Sequence, residues 1–138
     1  MAYPVNSLTS KADCDLVLEE AAEERADLEY RQTQLQRLHT MGSDRATEKS
    51  AELTGATAEY NTLTTLLASM TEGPTKKKNE REHKRLEYRI YVLNQQQATG
   101  ATGVVAQFKR LYELNCITRE LAENAALKSE VEARKAAL

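Results

Sequence analysis

LQRLHTMGSDRATEK, residues 35–49, is the stretch on which the fold turns. Leu35 and Leu38 close an amphipathic run, and Gly42 follows where a helix would need a left-handed C-terminal cap. Ser43 is placed to cap a second helix at once. A connection that short predicts two antiparallel helices with the turn at Gly42.

Working outward, the other chain-breaking residues fall at similar punctuation points. Two prolines and five glycines occur in 138 residues, with Gly73-Pro74 and Gly100/Gly103 marking further turns. Ala, Leu, Glu, Lys, Arg and Gln dominate between them, as expected of long helices. The expected helices cover about 10–41, 44–70, 80–98 and 103–135. The predicted fold is all-α and a single helical domain, 1–138. Two antiparallel helical hairpins would form an elongated up-down four-helix bundle, or remain open and be completed by another chain.

Each segment has a recognisable buried face. Ser10 followed by Asp13 reads as a start signal for the first helix, behind an extended lead-in that Pro4 keeps out of helix. Cys14, Leu18, Ala21, Leu28, Leu35 and Leu38 then recur at three-four spacing. In the second segment Ala46, Leu53, Ala56, Tyr60, Leu63, Leu67 and Met70 do the same. That segment also carries seven threonines and Gly55, poor helix formers that make it dependent on packing. Its small residues Ala51, Gly55, Ala56 and Ala58 would permit close approach of a neighbouring backbone. In the third, Asn79 and Glu82 read as a cap and its reciprocal partner, leaving Lys76, Lys77 and Lys78 in the loop, away from the positive end of the helix dipole. Leu86, Ile90 and Leu93 form its apolar face. A strand-like alternation over Leu86, Tyr88, Ile90 and Val92 competes, but it is short and has no other strand to pair with. ATGATG, 98–103, reads as a turn. The last helix would bury Val104, Phe108, Leu111, Leu114, Ile117, Leu121 and Ala125.

The core so predicted is thin. Leu, Ile, Val and Phe together make 26 of 138 residues, and 19 alanines supply much of the remaining apolar content. A small domain already buries a limited fraction of its surface, so part of its stability is expected from a second chain. The formal net charge of −2 gives no global field toward nucleic acid or an anionic membrane. No apolar run spans a bilayer, and the first residues lack the pattern of a secretory signal. Cys14 and Cys116 have no paired spacing and read as reduced, packed thiols, with a cytoplasmic location expected.

Charge is strongly segregated. From Lys11 to Glu29 the local sum is −6, with Glu19, Glu20, Glu23, Glu24 and Asp27 as candidate contacts to a basic partner. From Lys76 to Arg89 it is +4, with Lys76, Lys77, Lys78, Arg81, Lys84, Arg85 and Arg89 as candidate contacts to a polyanion or an acidic partner. In an up-down bundle the two patches would share one end and could neutralise each other. As a free surface, the basic patch with Tyr88 beside it would suit phosphates and a stacked base.

No catalytic pattern emerges. Glu80-x-x-His83 has the spacing of half a di-metal site in a helical bundle, but His39 is the only other histidine and no second copy exists. Neither glycine cluster is followed by the Lys-Ser/Thr of a phosphate loop. Six tyrosines against one Phe and no Trp suit half-exposed seams and interfaces. The expectation is a non-enzymatic structural or interaction protein without cofactor or metal. It would work by helix packing with itself or another protein as an oligomer or assembly subunit, away from membranes, with nucleic-acid binding through 76–89 as the alternative.

Overall fold

The computed structural model describes residues 2–100 and 103–138. They form a short 3-10 turn, Val5–Ser7, and three α-helices: α1 over Lys11–Ser69, α2 over Pro74–Ala98 and α3 over Val104–Ala137. The all-α class holds, and the strand-like stretch around Tyr88 is helical. The four-helix bundle does not form, because the first two predicted helices are one.

Gly42 lies inside α1 and is buried, with no turn beside it. The reason is phase. Cys14, Ala21, Leu28, Gly42 and Ala56 are buried at multiples of seven residues, and Leu35, Lys49, Leu63 and Met70 fill the intervening places half-buried. A seven-residue apolar repeat held this long keeps one side of a helix against a partner. Glycine within a helix costs about 1 kcal/mol, which one fully buried leucine, at about 1.5–3 kcal/mol, outweighs. Of the small cluster in this helix only Ala56 is buried, and a Cβ built on Gly55 would meet nothing within 4 Å. No backbone therefore approaches there. Thr47, Thr54, Thr62, Thr64 and Thr65 each donate a hydroxyl to the carbonyl four residues back, so their polar groups are satisfied without leaving the helix.

The chain divides into two compact units, Met1–Leu38 with Arg110–Leu138, and His39–Lys109. In the first, the early part of α1 runs antiparallel to α3. Lys135 pairs with Asp15, and further along Asn124 Nδ2 donates to the Ala21 carbonyl at 2.9 Å. Cys14, Ala21 and Leu28 are buried on α1, and Leu114, Ile117, Asn124 and Val131 on α3. Ser10 caps α1, its Oγ accepting from the Asp13 amide at 3.1 Å, as its position predicts. The lead-in is anchored rather than free: the Tyr3 amide donates to Glu130 at 2.9 Å, and Arg134 Nε donates to the Leu8 carbonyl at 3.1 Å.

In the second unit the later part of α1 runs antiparallel to α2. Arg89 pairs with Glu52, His83 meets Tyr60 and Thr64, and Asn79 Nδ2 reaches Met70 Sδ at 3.3 Å. Leu86 and Leu93 are buried and Ile90 half-buried. The start of α2 differs from expectation. Pro74 occupies the first turn, where its fixed φ suits a helix and its missing N–H is not needed. Lys76, Lys77 and Lys78 consequently lie in the helix rather than the loop. Glu72, just outside the helix, accepts from Lys76 Nζ at 2.9 Å and offsets the adverse dipole there. Asn79 faces the seam instead of capping.

At the α2–α3 turn Gly100 has φ 86, a left-handed conformation that favours glycine. Part of the predicted 98–103 turn, residues 101–102, lies outside the described residues. The face of α3 is also shifted from expectation. Leu114, Ile117 and the half-buried Leu121 are inward, but Val104, Phe108, Leu111 and Ala125 are exposed, while Asn124 and Val131 are buried.

An uninterrupted α1 makes the exposed Ser43 a mid-helix residue and not a cap. Ser43→Ala should then leave stability unchanged or raise it by a few tenths of a kcal/mol, since alanine is the better helix former. A serine capping a second helix would instead lose about 0.5–2 kcal/mol on the same change. Urea denaturation distinguishes the two.

Candidate functional site

Two charged surfaces and several polar pins account for the ionisable side chains with functional interest. On α1, Glu19, Glu20, Glu23, Glu24 and Asp27 are all exposed and form no ion pair among the described residues. Neighbouring acids that are paired, Asp15 with Lys135 and Glu29 with Arg25, lie outside this group. Glu24 lines a small depression with Tyr3, Glu120, Glu123, Asn124 and Leu127.

The basic segment divides into two sets. Lys76, Arg85 and Arg89 are engaged with Glu72, Glu82 and Glu52. Hydrogen bonding to these carboxylates, followed by their charge, raises the pKa values of Lys76 and Arg85. Lys77, Lys78, Arg81 and Lys84 form no ion pair among the described residues and are exposed. Among the described residues no ion pair joins the acidic and basic patches, which belong to different compact units.

His83 is a seam residue. Its ring stacks on Tyr60 with centroids 4.1 Å apart and planes 19° from parallel, and Nε2 lies 2.8 Å from Thr64 Oγ1. Thr64 Oγ1 also lies 2.8 Å from the Tyr60 carbonyl, to which it donates. Glu80 is exposed. His39 is half-buried, with Nδ1 unpaired. No group of three or more His, Cys, Asp or Glu side chains converges among the described residues. Cys14 and Cys116 are free thiols, the first buried and the second half-buried.

A surface groove of about 400 Å³ lies in the second unit between Glu52, Gly55, Ala56 and Glu59 on α1 and Arg85, Leu86 and Arg89 on α2. Its Arg89–Glu52 pair is about half exposed, and such a pair holds register more than it activates a group. In the first unit a groove of about 190 Å³ is floored by Leu18, Ala21, Ala22 and Ala26. Neither contains a buried acid–base pair or a nucleophile beside a base, the arrangement catalysis needs.

Two residues with clear roles escaped the sequence reading. Asn124 lies seven residues after Ile117 and seven before Val131, a polar residue at a seam position, and that spacing was the available signal. Tyr3 had no signal at all, because its partners Glu123 and Glu130 are more than a hundred residues away. No protein-family model matches the chain, and no curated protein and no solved structure shows significant similarity to it.

The Tyr3 hydroxyl donates to Glu123, and this bond, then desolvation, then nearby carboxylates raise its pKa. The folded state thus holds the phenolic proton more tightly than the unfolded chain. This contribution to docking is complete below tyrosine's ordinary pKa of about 10 and is lost as pH rises through the raised value. The tyrosinate absorbance of wild type minus that of Tyr3→Phe should show one late-ionising phenol, and Glu123→Ala should shift its ionisation down toward the ordinary range.

Proposed function

We propose that this chain is a non-enzymatic helical interaction subunit that works by packing its helices against further copies or another protein. The observation that carries this reading is the inverted start of α3. Val104, Val105, Phe108, Leu111 and Tyr112 are exposed, Phe108 to 70%, while Gln107 and Arg110 are half-buried. Apolar side chains on the outside of a helix mark a surface awaiting a partner. Two-helix units bury few large side chains, and Leu93, Ile117 and Val131 are the largest that are fully enclosed. Light scattering on the purified chain should give a mass above the 15.5 kDa monomer that falls on dilution. A rigid monomer at all concentrations would oppose the proposal.

A second reading draws on the four unpaired cations of α2 with Tyr88 beside them. Lysines and arginines free of carboxylate partners can contact phosphates, and the exposed ring can stack on a base. It predicts retention of a nonspecific DNA duplex at low salt, weakening steeply as salt rises. Absence of binding at low salt removes it.

A further inference from the structure

The unpaired charges of both patches are arranged in a common pattern. On α2, Lys77, Arg81, Lys84, Tyr88 and Tyr91 follow one another at four-three-four-three spacing, and all five are exposed. On α1, Leu16, Glu20, Glu23, Asp27 and Tyr30 follow at the same spacing, again all exposed. Each stripe is displaced by two residues from its own buried positions: Leu16, Glu23 and Tyr30 sit two beyond Cys14, Ala21 and Leu28, and Lys84 and Tyr91 sit two before Leu86 and Leu93. Two residues of helix turn through about 200°, so each stripe occupies the back of its helix, opposite the intramolecular seam. Both stripes also carry large uncharged side chains: Leu16 is 61% exposed, Tyr30 68%, Tyr88 70% and Tyr91 60%.

We propose that these two stripes are the halves of an intermolecular seam, in which the acidic back of α1 in one copy lies along the basic back of α2 in a second copy. This rests on the assembly reading above and names its partner and surface. The argument is complementarity. One stripe carries three carboxylates and the other three cations, and none of the six forms an ion pair among the described residues. Shared spacing lets the stripes meet along their length, as facing ridges of two packed helices do. Glu23 meets Lys84 whether the helices approach parallel or antiparallel, and Arg81 meets Glu20 or Asp27. Leu16 and Tyr30 then pack against Tyr91 and the aliphatic stem of Lys77 at the ends of the α2 stripe. The large uncharged side chains give affinity and the two central charge pairs give partner choice. The contact joins unlike surfaces, so every copy presents both halves.

Charge reversal on one stripe at a time tests this. Glu20→Lys/Glu23→Lys/Asp27→Lys turns both stripes basic, and Arg81→Glu/Lys84→Glu turns both acidic. By sedimentation, each variant alone should self-associate about 100-fold more weakly than wild type. An equimolar mixture should recover association, because every contact between the two variants is again complementary. All the altered residues are exposed and away from the seams, so circular dichroism should be unchanged. Should a reversal unfold the chain, Glu23→Gln and Lys84→Gln supply the milder pair, each weakening association. If wild type associates but neither reversal weakens it, or the mixture is no tighter than its components, the stripes are not the interface, although the assembly reading stands. A monomeric wild type overturns both. A monomer that binds a DNA duplex and loses it with Arg81→Glu/Lys84→Glu assigns the α2 stripe to a polyanion instead.

Discussion

Everything in this structure depends on one face of α1 staying in phase for its full length. Positions 14, 21, 28, 42 and 56 are buried in a repeat of seven, and the seam in each unit is built on that face. Because seven residues complete nearly two turns of 3.6, such a repeat keeps successive buried side chains on one side of the helix within each unit. The glycine at 42 does not break it, since burial along the repeat outweighs the local cost of an unbranched backbone residue. Had the phase changed at 42, the residues after it would have faced elsewhere, and a separate helix would have followed.

The seams themselves are thin, and polar contacts select their alignment. Small buried residues, Cys14, Ala21 and Ala56, let the helices come close but contribute little burial. Leu93, Ile117 and Val131 supply more. Register is held by directional contacts: Asn124 on the Ala21 carbonyl in one unit, and the Tyr60–His83 stack with the Thr64 bond in the other. A buried asparagine at a seam position disfavours misaligned pairings, in which its amide would lack a partner. Exposed ion pairs such as Arg25–Glu29 and Lys128–Glu132 add little beside these.

The proposed function draws on what lies outside the seams. A helix in a two-helix unit buries only one stripe, so most of its circumference is available for other contacts. Here that circumference is patterned: acids on the back of α1, cations and tyrosines on the back of α2, and apolar residues at the start of α3. His83 and Asn79, which resemble a metal ligand and a helix cap in the sequence, are instead occupied by the seam.

The residues by themselves determined the helical class, the cap at Ser10, the inward faces of α1 and the segregation of charge. These are local properties, readable from spacing and side-chain type. Gly42 misled because a glycine signals a turn only where the flanking faces do not continue through it, and the unbroken seven-residue repeat across it carried the decisive information. The start of α3 misled for a related reason. Val104, Phe108 and Leu111 form a good apolar stripe, but the chain's own seam was built on the alternative stripe through Leu114, Ile117, Asn124 and Val131. Which of two stripes faces inward depends on the partner helix, and no single segment contains that information. The tertiary structure also decided which cations are paired, because Arg89 finds Glu52 across 37 residues of sequence. Distance in sequence hides such pairs, and packing alone brings them together.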